Sequence, residues 1–237
     1  MRRDRDMESD SSRTLTCDQL NLFLTWFSPS FPVGSFAYSH GLETAVAKGA
    51  VTGIKDLCEW TETVLLLGTG RTDGIIFCEI HHAVTEADED RLAHIAELSA
   101  SLLSSEELGL ESLAQGGAFL SACQTVWPTD FLTRTKLDAP TYCVAVAAVC
   151  AAHALPLKLS LICWYHALMA GLVSAGVRLI PLGQTQGLQA LASLSSTVTQ
   201  AARQVQDVPI EDVGSAAPLI EIDSIQHETQ YSRLFRS

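Results

Sequence analysis

Residues 141–181 read TYCVAVAAVCAAHALPLKLSLICWYHALMAGLVSAGVRLIP, and the fold class turns on them. Two apolar segments, Tyr142 to Leu155 and Leu159 to Val177, are separated by Pro156-Leu157-Lys158. The second carries no formal charge and is nearly long enough to span a bilayer. A helix that is apolar all round has two homes, a membrane or the buried centre of a large domain. The composition favours the second. Both segments are rich in Ala, Cys, Gly and Ser rather than Leu and Phe, His166 lies in mid-span, and His153 and Lys158 sit at the junction. Small residues let helices pack closely in a core. The expectation is a buried helix pair and no membrane hairpin.

Helical signals continue on both sides. Thr16-Cys17-Asp18-Gln19 fits a capping box for a helix ending near Phe27. Further helices are expected from about Phe36 to Lys48, from Thr52 or Gly53 to Leu67, and from Thr72 to Val84. Glu86, Asp88, Glu89 and Asp90 suit the positive N-terminal end of the next. Another follows Ser104-Ser105 and ends before Trp127-Pro128. Pro140 and Pro156 suit the first turns of the two apolar helices. Two more run from Gln184 to Val205 and from Pro218 to Gln230. Strand-like alternation is absent. The chain therefore reads as all-α, a single helical domain of about ten helices around a central apolar helix pair. Residues 1–14 read as a disordered N-terminal segment, 15–226 as the helical domain and 227–237 as a C-terminal tail.

The 237 residues are 47% hydrophobic and 18% charged, enough apolar material for a substantial core. A net charge of −12 argues against nucleic acid, whose phosphates demand a basic surface. The start, Met1-Arg2-Arg3-Asp4-Arg5-Asp6, is not the apolar run of a secretory leader. Seven cysteines with no regular framework then read as reduced thiols of a cytoplasmic protein.

Catalytic motifs are missing. There is no His-Glu-x-x-His, no Gly-x-Ser-x-Gly and no Walker A sequence. Gly68-Thr69-Gly70-Arg71-Thr72-Asp73-Gly74 is glycine-rich but has no lysine for a phosphate, and reads as a helix connection. Cys78/His81, Cys150/His153 and Cys163/His166 each lie three apart on predicted helices, so each pair shares a face where a thiolate and an imidazole could contact a soft cation. Two ligands fall short of a closed site, and the alternative is ordinary core packing. His81-His82, beside the acidic knot, is the candidate for transient metal contact.

Residues 28–43 read SPSFPVGSFAYSHGLE. Pro29 and Pro32 stop a helix, Gly34 permits a turn, and Ser35 can cap a helix beginning at Phe36. Phe31, Phe36 and Tyr38 can fill the core, and His40 and Glu43 can pair on the surface. Two other blocks stand out: LVSAGVRLIPLGQT over 172–185, and GSAAPLIEI over 214–222 running on to HETQYSRLFRS over 227–237. In content, order and separation, the three blocks resemble the UreF family of urease accessory proteins, and they span nearly the whole chain. One departure is visible: many relatives carry a polar amide just before the Leu-Val of the second block, where this chain has Gly171.

The resemblance implies a non-catalytic homodimer without cofactors that joins the partner UreD (also called UreH) and forms a platform for the GTPase UreG. That assembly docks on the urease apoprotein for nickel insertion. By the same resemblance, the tail becomes ordered against UreD/UreH, and the N-terminal segment lies near that partner. Tyr231, Arg233, Leu234, Phe235 and Arg236 supply the aromatic and arginine anchors common in interfaces. The local alternative is that the tail docks on its own domain. Arg178 and Gln184, flanking Pro181, read either as helix-end caps or as a polar patch toward the GTPase. Arg178 is also the candidate, by residue type, for an arginine finger. Two rivals remain: a nickel carrier using the Cys/His pairs, and a helical-bundle enzyme with an unrecognised carboxylate pair.

Overall fold

The computed structural model describes residues 15–237; the expectation for residues 1–14 lies outside the described residues. Among the described residues there are eleven α-helices, two short 3-10 turns and no strands, as the all-α expectation required. The helices are α1 (Cys17–Trp26), α2 (Leu42–Ala47), α3 (Ile54–Leu66), α4 (Thr69–Thr85), α5 (Glu89–Ser101), α6 (Glu106–Val126), α7 (Asp130–Arg134), α8 (Tyr142–Ala152), α9 (Leu157–Leu179), α10 (Gln184–Gln204) and α11 (Pro218–His227).

Local chemistry sets most boundaries. Thr16 and Gln19 form the reciprocal capping box at α1, while Asp88 and Ser105 side chains accept the amides of Arg91 and Leu108 at α5 and α6. The prolines are displaced from the expected first turns: Pro156 is the N-cap of α9, and Pro140 precedes the N-cap Thr141 of α8. The glycine-rich run is not a plain connection, because α4 begins inside it at Thr69.

The central pair needs correction. Residues Cys143 to Cys150 of α8 are all buried, and α8 lies between α4 and α6. Helix α9 packs mainly on α10 and α3, with little direct contact to α8. It keeps an exposed stripe at Lys158, His166, Gly171, Ser174 and Arg178. Thus one apolar helix is central and the other is a half-buried flank. Helix α9 alone among the described residues is long and apolar enough to cross a membrane by length and composition, and half of that window is buried within the protein.

A second correction concerns the corner. The helix predicted from Phe36 to Lys48 is split into a 3-10 turn, Ser35–Ala37, and the six-residue α2. Ser35 caps nothing; the turn is preceded by Gly34 in the left-handed region, at φ 76°. His40 (φ 53°) and Gly41 (φ 81°) are also left-handed and interrupt the helix. Gly41 serves a close approach: a Cβ there would lie 2.8 Å from the backbone nitrogen of Ser224 in α11. Phe31 is buried against Phe119, but Phe36 is 73% exposed, so the corner's aromatics do not all enter the core.

Candidate functional site

The three sequence blocks, far apart in the chain, converge in space. The tail after α11 folds back over the corner and α2. Phe235 and Ser237 are buried, while Tyr231, Arg233, Leu234 and Arg236 stay exposed. The Arg236 amide donates to Ala37 O at 2.8 Å, and the Ser39 amide and hydroxyl both donate to Ser237 O. Arg178 sits 4.2 Å over the Phe235 ring and donates to Phe36 O at 2.8 Å. This stacking joins the second block to the first and third. Gln184 begins α10 on the exposed surface and does not reach this cluster; the α10 cap comes instead from Gln186, which accepts the Gly183 amide.

Glu43 organises the tail's docking. It is 7% exposed, and its carboxylate accepts the amides of Leu234 and Phe235 at 2.7 and 2.9 Å. The fully buried His227 ring lies between two carboxylates, with Nε2 3.2 Å from Glu43 and Nδ1 2.6 Å from Glu107. A neutral imidazole has one N–H, so the second contact requires another proton, on the ring or on a carboxyl. Arg233 also pairs with Glu107, and Lys48 ties α2 to Asp223 and Gln226 of α11. Each of these charges under the tail therefore has a partner, the condition under which burial is tolerated. The surface pair expected between His40 and Glu43 does not form. Glu43 faces the tail, and the left-handed turn at His40 aims its ring at Glu111 instead, 3.3 Å away.

Glu111 stands on the floor of a cleft of about 500 Å³ beneath the corner. Gln115 and Ser237 donate to it at 2.9 and 2.7 Å. Burial opposes the charged form of His40, but Glu111 outweighs that and the ring's pKa is raised. Asp73 lines the same cleft; burial pushes its carboxyl up to about 6, against the pull of His40.

The Cys/His pairs do not assemble metal sites. Burial pushes the Cys78 thiol up to about 12 and the Cys163 thiol to about 11. His81 is directed to Leu155 O at 2.9 Å and His153 to Trp127 O at 3.1 Å, while His166 is exposed and His82 half-buried. No group of three metal-ligating side chains converges among the described residues.

Sequence reasoning missed Glu107, Glu111 and Asp73. Glu111 had a signal: it is the single charged residue between Leu108 and Val126, on an otherwise apolar helix. Glu107 looked like an ordinary helix-start acid, and Asp73 was hidden in the glycine run.

The UreF family pattern matches residues 51–195. The chain is 41% identical to the urease accessory protein UreF of Rhodopseudomonas palustris strain BisB5, over 98% of each chain. It is 42% identical to that of Bradyrhizobium sp. strain BTAi1 over 90% of each, and 41% identical to that of Roseobacter denitrificans over 98% of this chain and 100% of the relative.

Proposed function

Since the chain belongs to the UreF family of urease accessory proteins, we propose that it is a non-catalytic adaptor that bridges UreD/UreH and the GTPase UreG on the urease apoprotein for GTP-dependent nickel insertion. The observation that carries this reading is the near full-length match to proteins named for that accessory role. Nickel is the cargo of the assembly. In this reading the protein is cytoplasmic and works as a homodimer, and its seven free thiols suit a reducing compartment.

The tail is the proposed UreD/UreH contact. Phe235 anchors it, while Tyr231, fully exposed, and Leu234, 64% exposed, offer apolar surface with Arg233 and Arg236 beside them. Leu219, Ile222 and Ile225 add an exposed apolar row along α11. Arg178 and Gln184 are the proposed patch toward UreG. To act as an arginine finger on the GTPase, Arg178 would first have to leave Phe36 O and the Phe235 ring.

The test is co-purification with the host's UreD/UreH and UreG, using the full chain and a chain truncated after Gln226. Capture by the full chain and loss on truncation is the expected result. Equal capture by both forms would move the interface away from the tail. Failure of both, with nickel retained stoichiometrically by this chain alone, would favour the carrier reading.

A further inference from the structure

The cleft beneath the corner contains a carboxyl with no ion-pair partner. Asp73 makes no salt bridge among the described residues. The groups interacting with it are His40, Glu111 and the Cys143 thiol. Glu111 is already engaged by His40, Gln115 and Ser237, whereas Asp73 faces open volume. His40 Nδ1 is likewise buried without a hydrogen-bond partner.

The walls are chemically different from the floor. Trp26, Phe27, Phe36, Leu103, Tyr142 and Trp164 make them largely apolar and aromatic, with His166, Arg178 and Glu221 as their charged or titratable members. The opening segment of α4 holds Asp73 in place. The Tyr165 hydroxyl donates to Gly70 O at 2.9 Å, and a Cβ on Gly74 would lie 2.0 Å from that hydroxyl oxygen. The glycine-rich run thus lets α4 approach α9 closely, setting Asp73 on the floor.

We propose that this cleft binds an organic cation, an ammonium or guanidinium group on an apolar stem, with the head at Asp73 and the stem along the aromatic walls. An anion at the floor would meet Asp73 and Glu111 together, and Arg178, which also lines the cleft, is already engaged by Phe36 O and the Phe235 ring. A purely apolar guest would strip water from Asp73 and replace it with nothing. A bare metal ion lacks three converging ligands among the described residues. A cation on a stem satisfies both surfaces, by charge pairing at the floor and burial along the walls. The net charge of −12 adds long-range attraction for such a ligand.

The test uses octylguanidinium, 1-octanol and octanoate below micelle-forming concentrations, with calorimetric titration of the full chain. Octylguanidinium should bind at least about tenfold more tightly than octanol, the scale of one charge-assisted contact in a confined site, and octanoate most weakly. Asp73→Asn should erase that preference while leaving octanol binding and helix content unchanged. The preference should also shrink as pH falls from 7 to 5, where Asp73 gains a proton; His40, Glu111 and Cys143 are its titratable neighbours. Equal binding of octanol and octylguanidinium, or an undiminished preference in Asp73→Asn, would overturn the proposal.

Those titrations contain this chain alone and stand apart from the assembly reading. A second arm distinguishes the ligand's source. If octylguanidinium displaces a co-purified partner protein, the cation is a basic side chain of that partner. If the assembly survives saturating octylguanidinium, it is a free small amine.

Discussion

At the residue scale, Glu43 and Asp73 are two carboxyls with opposite settings. Glu43 is matched by two amides and a histidine ring, so removing it takes the acceptor from the Leu234 and Phe235 amides and one partner from the buried His227. Glu43→Ala is expected to destabilise the protein by about 2–4 kcal/mol, the scale for breaking a buried charged network. Limited proteolysis should then cut near Gln230 faster than in the parent; an unchanged cleavage rate would show that the tail is held by something else. Asp73 has the reverse problem. Its folded pKa, about 6, lies above the ordinary 3.8, so folding disfavours its charged form. The native state holds more protons than the unfolded state between those values, and stability falls as pH rises through that window. Asp73→Asn should therefore stabilise the protein at pH 7 by about 1–2 kcal/mol, a figure discounted for partial exposure. The gain should fade as pH falls through that window and vanish by about pH 3, where both states of Asp73 are protonated. Urea midpoints at the two pH values check this, and an equal effect at both would refute it.

At the element scale, helix contacts depend on where glycine permits them. Gly116 and Gly117 are neighbours on α6 with different surroundings. A Cβ on Gly116 would lie 2.0 Å from Pro140 O, while one on Gly117 meets nothing within 4 Å. Gly116→Ala must push α6 away from the chain entering α8, and should cost about 2–4 kcal/mol despite better helix propensity. Gly117→Ala should be neutral or gain up to about 1 kcal/mol. Chemical denaturation of the pair decides the matter; equal effects would mean that the α6–α8 contact yields freely. Sequence patterns could locate α6 because Ser105 and the acids after it mark its start. They could not distinguish these two glycines, whose difference lies in a partner 24 residues away. The same limit explains the corner. Pro29, Pro32 and Gly34 announced a turn, but the break at His40 and Gly41 follows from α11 crossing above them.

At the scale of the whole molecule, the tail completes the body it covers. Leu42, Ala45, Val51, Leu57, Ala175, Ile180 and Phe235 form one buried cluster, so the last residues contribute to a core built from α2, α3 and α9. Truncation after Gln226 removes Phe235, and with it the Glu43 and Glu107 contacts of the tail. Thermal unfolding should show a loss of about 2–5 kcal/mol, comparable to deleting a buried aromatic side chain, with helical circular dichroism nearly unchanged. A large loss of helix would instead mean that the tail is required for the fold.

The helices were legible because their signals are local: capping residues, prolines, acidic first turns and long apolar runs. So was the family, since three ordered blocks are a property of the chain alone. The tail's aromatic and arginine composition placed Phe235 among the residues to watch, and residue type and the second block placed Arg178 there. What the tertiary structure decided was their company. Cation–ring stacking of Arg178 on Phe235, the pairing of Glu43 with residues nearly two hundred positions away, and the isolation of Asp73 in a cleft all arise from helix packing. Likewise, α8 and α9 are both apolar in sequence, yet α8 is buried over Cys143 to Cys150 while α9 keeps an exposed stripe. Local pattern encodes which face of a helix avoids water, whereas the identity of the neighbour depends on the summed packing of every other element.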